Sequence, residues 1–105
     1  MARRLLSKET LPSVAAEIVA NAFDRKVIRD YLLSDGRFKT LPAQRKKLEA
    51  ILRHILQALE PGQRYAEKEI NEILGRFHED TATLRREMIG YGLLKRESGQ
   101  YWRLE

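Results

Sequence analysis

Two adjacent arginines, Arg85 and Arg86, are the residues of this chain best suited to recognition chemistry. A guanidinium is a planar fork of N–H donors that matches the O6/N7 edge of guanine or a pair of phosphate oxygens. Both arginines lie mid-way along a helical pattern in which Leu84 and Met88 form the inward line, so one of the two is expected to face out. The competing reading is internal: one arginine pairs with a carboxylate such as Glu69, Glu72 or Glu87 and fixes two helices together. Thr81 and Thr83, near the start of the same helix, can reach base edges or phosphates, or be ordinary exposed positions beside a cap. Glu79 and Asp80 suit the positive end of the helix dipole, yet they stand where a phosphate would otherwise bind.

Further cations surround this stretch. Arg37, Lys39, Arg45, Lys46 and Lys47 run without an acid until Glu49, and Lys95 and Arg96 follow the arginine-bearing helix. Five phosphate contacts would make log K fall with log salt at a slope of about −4.5; the plainer reading is a solvated charge run. His78 beside Glu79 and Asp80 invites a metal, but consecutive residues do not converge on one ion, and His54 belongs to another helix. Tyr91, Tyr101 and Trp102 have faces on which bases stack, although helix-end and hairpin positions suit core and rim better. No phosphate loop, nucleophile motif or ligand cluster is present, so neither catalysis nor a cofactor, metal or small-molecule substrate is expected.

The elements that must position these residues follow from periodicity and punctuation. Leu11 to Phe23, with Val14, Ala15, Ile18, Val19, Ala22 and Phe23 at helical spacing, predicts a first helix with Pro12 in its first turn. Asp24 is expected to start a second, with Val27, Ile28, Tyr31 and Leu32 on a face that either covers the main domain or pairs with another copy, ending before Ser34-Asp35-Gly36. Arg37 to Leu41 reads as an extended connector to Pro42. From Ala43 to Glu60 the residues Leu48, Ile51, Leu52, Ile55, Leu56 and Leu59 complete an amphipathic face, stopped by Pro61-Gly62. A short strand at Gln63 to Tyr65 precedes a helix from Ala66 to Phe77, whose cap position Ala66 has no side-chain oxygen although Glu69 sits where a capping box places its acid.

After a turn at Arg76 to Glu79, Asp80 caps a helix running to Tyr91. Gly90 is expected to permit close packing and Gly92 to supply a left-handed cap. Leu93 to Arg96 and Gln100 to Leu104 then form a short hairpin through Ser98-Gly99. The order helix, turn, helix, hairpin predicts a mainly α fold with a small β-hairpin: a winged helix-turn-helix (36–105) behind an N-terminal helical arm (1–35).

Composition bounds the partners. The chain has 105 residues, 43% hydrophobic and 33% charged, enough for one folded domain. It contains no cysteine, no apolar run of membrane-spanning length and no apolar stretch behind Arg3-Arg4 of the kind a signal peptide needs, so the cytoplasm is the expected location. Net charge +5 and a pI near 9.7 suit a nucleic-acid partner. Residues 1–60 hold twelve Lys/Arg against seven Asp/Glu, whereas residues 61–105 hold eight of each, so the reading half is neutral.

Several motifs occur together: a proline-basic helix start at Pro42, YAEKEINEIL from Tyr65, HEDTATLRREMIGYGLLKR from His78, and YWR from Tyr101. In these the segment Gly36 to Arg103 resembles the bacterial family called domain of unknown function 2087, with Ala66 departing from the Thr or Ser expected at the cap. Members occur alone or fused behind other helix-turn-helix modules of transcription regulators, and the resemblance therefore implies a winged helix-turn-helix acting in transcription.

The expectation is a regulator that reads duplex DNA through Asp80 to Tyr91, using Thr81, Thr83, Arg85 and Arg86, with Arg45, Lys46, Lys47, Lys95 and Arg96 on phosphates and the arm supporting a homodimer. The alternative is a winged-helix protein-interaction or dimerisation module. Binding of structured or single-stranded RNA is a third reading, on charge and aromatics alone.

Overall fold

The computed structural model describes residues 22–104. Helix α1 occupies residues 22–31. The helix expected from Leu11 lies outside the described residues for most of its length. Residues 22 and 23 are already helical, so Asp24 does not start α1. Its carboxylate instead accepts from the Arg53 guanidinium at 2.9–3.1 Å, on the next helix. Val27 is buried and Ile28, Tyr31 and Leu32 pack against the core, so this face covers the chain's own domain.

The segment after α1 is more than a connector. Gly36, at φ +88°, turns the chain back, and Leu32 and Phe38 form an isolated antiparallel bridge. Phe38 is fully buried, and its N–H donates to the Phe77 carbonyl at 2.7 Å. Arg37 donates to the Gly75 carbonyl at 2.6 Å, satisfying an orphan acceptor at the end of the helix Glu67–Gly75.

Helix α2, Arg45–Leu56, is shorter than its apolar pattern. Its last turn tightens, with Ala58 and Leu59 N–H groups reaching the Ile55 and Leu56 carbonyls, which ends the helix while keeping Leu59 buried. Leu48, Ala50, Ile51, Leu52, Ile55 and Leu56 make it the scaffold of the core.

Strand β1 (Arg64–Ala66), helix α3 (Glu67–Gly75), helix α4 (Thr81–Gly90) and strands β2 (Leu94–Glu97) and β3 (Gln100–Arg103) complete the described chain. The strands form an antiparallel sheet in the order β1-β3-β2. Tyr65 faces Tyr101 across one pair and Arg96 faces Tyr101 across the other. Leu94, Tyr65 and Tyr101 share the face that closes the core, as period-2 alternation requires. Ser98 and Gly99 both have positive φ, the requirement of a two-residue hairpin turn of the primed kind. The protein is thus mainly α with a small antiparallel sheet.

The two ends of α4 set its pose. Asp80 accepts from the Thr83 N–H at 3.1 Å and the Thr83 hydroxyl at 2.7 Å, and the bond from that hydroxyl is the main cause holding its carboxyl below the usual range. At the other end the Gly92 N–H reaches the Ile89 carbonyl and the Leu93 N–H the Met88 carbonyl, a Schellman motif around Gly92 at φ +76°. Gly90 plays no comparable part: a Cβ there would meet nothing within 4 Å, so close packing is not its reason.

Candidate nucleic-acid interface

Helix α4 buries only Leu84 and Met88. Glu87 and Tyr91 turn toward the start of α2: Glu87 pairs with Arg45 at 3.1 Å, and the Tyr91 hydroxyl donates to the Arg45 carbonyl at 3.2 Å. The Arg45 guanidinium also lies 5.0 Å from the Tyr91 ring centroid. Ala82, Arg85, Arg86 and Ile89 line the opposite side of α4, where they form a cleft with Arg96 and Tyr101 of the sheet.

Arg85 and Arg86 have different environments. Arg85 is 19% exposed; its Nη1 donates to the Tyr101 hydroxyl at 2.8 Å and lies 3.7 Å from Glu67, and its Nε is buried with no hydrogen-bond partner among the described residues. The Tyr101 hydroxyl in turn donates to Glu67 at 3.4 Å. Arg85 therefore ties α4 to β3 and to the first turn of α3. Its carboxylate is not one of the three expected: Glu69 accepts from the Ala66 N–H at 2.8 Å, which caps α3 where Ala66 cannot, and Glu87 is held by Arg45. Arg86 is exposed, and its only hydrogen bond among the described residues is to the Thr83 hydroxyl at 3.1 Å.

That bond changes the reading of the threonines. The Thr83 hydroxyl donates to Asp80 and accepts from Arg86, so it supports the arginine and keeps one acceptor lone pair free. Thr81 is half-buried, with its methyl toward Gly75. Arg96 is exposed, with its guanidinium 5.8 Å from the Tyr101 ring. Lys95 lies on the other side of the sheet, 6.0 Å from the Trp102 ring, whose face Arg64 covers at 3.9 Å. The seven cations expected to act together are thus divided: Arg85, Arg86 and Arg96 converge on the cleft, Arg45, Lys46 and Lys47 stand at the start of α2, and Lys95 belongs to the outer sheet face.

Tyr101 and Glu67 are the residues that sequence reasoning did not connect to the arginines. Only the β3 register and the start of α3 bring them there, a relation no local spacing encodes. The two histidines lie apart in different settings: His78 Nδ1 accepts from the Asp80 N–H at 3.1 Å, and His54 packs edge-on against Phe38 and Phe77. Burial lowers the His54 pKa. Among the described residues no group of three or more His, Asp or Glu is placed to hold a metal.

The sequence model of a family described as "Uncharacterized protein conserved in bacteria (DUF2087)" matches residues 37–103. The chain belongs to that family. No curated protein and no solved structure matches it significantly. The DUF2087 segment begins at Arg37, whose guanidinium closes on Gly75, and ends at Arg103, whose guanidinium donates to the Leu59 carbonyl at 2.9 Å. Both ends of the DUF2087 segment are therefore tied into the fold, and α1 lies outside it while still burying Val27 in the same core. No helix among the described residues is long and apolar enough to cross a membrane.

Proposed function

We propose that residues 36–105 form a winged helix-turn-helix that binds duplex DNA in transcriptional regulation, in the cytoplasm, with residues 1–35 as an arm supporting a homodimer. In this reading α3, the turn 76–79 and α4 are the helix-turn-helix, and the β2-β3 hairpin is the wing. One observation carries it: Arg86 and Arg96, both exposed and neither joined to a carboxylate among the described residues, flank one cleft along the open side of α4.

The roles divide accordingly. Arg86 reaches base edges, braced by Thr83. Arg85 holds α4 against the sheet and presents its remaining donors at the cleft floor. Arg96 meets phosphate beside the helix, and Arg45, Lys46 and Lys47 meet phosphate near its C-terminal half, away from the acidic start at Glu79 and Asp80. Lys95 adds charge to the hairpin without entering the cleft.

Fluorescence anisotropy of a random-sequence duplex, titrated at low and moderate salt, tests the reading. Binding with a log-log salt slope of about −3.6 is expected for the four phosphate contacts of Arg96, Arg45, Lys46 and Lys47. Arg86→Ala with Arg96→Ala should weaken it at least tenfold. Absence of binding at low salt sinks the DNA reading. The second reading, a protein-docking face, is favoured by Ile89, which is 39% exposed in the middle of the same cleft. That outcome is indicated if duplex binding is absent while Ile89→Asp disrupts self-association measured by sedimentation.

A further inference from the structure

Helices α1 and α2 enclose an open groove of about 640 Å³, lined by Asp24, Arg25, Ile28 and Arg29 from α1 and by Ala50, Arg53, His54 and Gln57 from α2. Its size falls in the range of about 300–1,000 Å³ typical of small-ligand sites. The charges on α1 are arranged in two ways. Lys26 and Asp30, four residues apart, form a 2.9 Å ion pair. Arg25 and Arg29, also four residues apart and one position earlier in register, are like charges on neighbouring helix positions, an arrangement that disfavours the helix. Among the described residues neither has a carboxylate partner, and both line the groove.

The lining acid does not answer them. Both Asp24 oxygens accept from Arg53, which also binds Glu49 at 2.8 Å. That bidentate pair braces α1 against α2 and sets the width of the groove. The apolar lining that a ligand can touch is Ile28, since Ala50 is only 1% exposed, and His54 and Gln57 supply polar groups on the α2 side. His54 makes no hydrogen bond among the described residues; the edge contacts of its ring with Phe38 and Phe77, at centroid distances of 5.6 and 6.1 Å, fix its orientation.

We infer that this groove binds a small organic anion, a carboxylate or phosphate carried on a flat apolar group. The anion bridges Arg25 and Arg29, its apolar part lies on Ile28, and His54 and Gln57 hydrogen-bond its remaining polar atoms. The site is separate from the α4 cleft and stands whether or not DNA is bound there. The His54 ring joins it instead to the turn between α3 and α4, where it packs on Phe77.

Titration of the ¹⁵N-labelled full chain with benzoate, phenyl phosphate and benzylamine, followed by amide shifts, tests the inference. Benzoate or phenyl phosphate should give saturable shifts at Ile28, Ala50, His54 and Gln57, and benzylamine none. Arg25→Gln with Arg29→Gln, at exposed positions that leave the core intact, should weaken the anions at least tenfold. Three results overturn it: no saturable shift with either anion, equal response to benzylamine, or unchanged anion affinity in the double variant. Ile28→Ala separates a specific groove from general charge attraction, since it should weaken phenyl phosphate severalfold while leaving both arginines in place; unchanged affinity there also overturns the inference.

Discussion

Helices α2 and α4 are close in length and opposite in use. Six of the twelve residues of α2 are buried, and they form a continuous stripe. Only two of the ten residues of α4 are buried; most of the others are engaged in caps, ion pairs and the walls of a cleft. A helix with so narrow an apolar line cannot be oriented by burial alone. Its pose is set by Asp80 at one end, the Schellman turn at the other, Arg85 to the sheet and Glu87 to α2. Directional polar contacts on one element and area burial on the other mean that substitutions in the two should fail in different ways.

The largest effect is expected on the scaffold. Ile51 is fully buried, so Ile51→Ala should destabilise the fold by about 2–5 kcal/mol in urea titration, whereas Ile89→Ala on the open side of α4 should change it by less than about 0.5 kcal/mol. Equal losses would erase the contrast between the helices.

Within α4 the two arginines sharpen it further. Arg85→Ala should cost about 1–3 kcal/mol of stability, because the Tyr101 hydroxyl loses its donor in a part-buried site. Arg86→Ala should leave the melting temperature unchanged and, if DNA is the partner, reduce affinity by about 1–3 kcal/mol. If calorimetry shows Arg86 to be the stabilising residue and Arg85 the dispensable one, the division of roles is reversed.

Smaller effects belong to the helix margins. The exposed pair Arg45–Glu87, with Arg45 66% exposed, should contribute about 0.2–1 kcal/mol in a double-mutant cycle and less at high salt. Asp80 gives a pH signature. Its folded pKa lies below the ordinary value of 3.8, so its contribution is present above that value and is lost as pH falls through the lower folded value. Asp80→Asn, which keeps an acceptor for Thr83, should flatten that acid limb; an unchanged acid limb would mean that the cap carries no charge-dependent part.

Much of the architecture was legible in the sequence because local chemistry encodes it. The stripe from Leu48 to Leu59, the cap at Asp80, the stop at Gly92 and the Ser98-Gly99 hairpin each need only neighbours a few residues away. Ala66 shows the limit of such rules: the missing cap oxygen is offset by Glu69 alone, half of a capping box. Phe38 was not legible as core, since one aromatic residue in a short connector has no periodicity to reveal it. Gly90 looked like a packing position and is an open one.

For the candidate sites the balance differs. The sequence by itself determined which residues could bear cations or present donors, and that one of two adjacent arginines must turn out when Leu84 and Met88 turn in. It did not determine which arginine was locked. That depended on where β3 places Tyr101 and where α3 begins with Glu67, both distant along the chain. Likewise the Arg25 and Arg29 charges are plain in the sequence, but the groove they line exists only where α1 packs beside α2, with Asp24 joined to Arg53 across it. Periodicity and capping act over one or two helical turns. Charge pairing across the core depends on distances that only the packed chain sets.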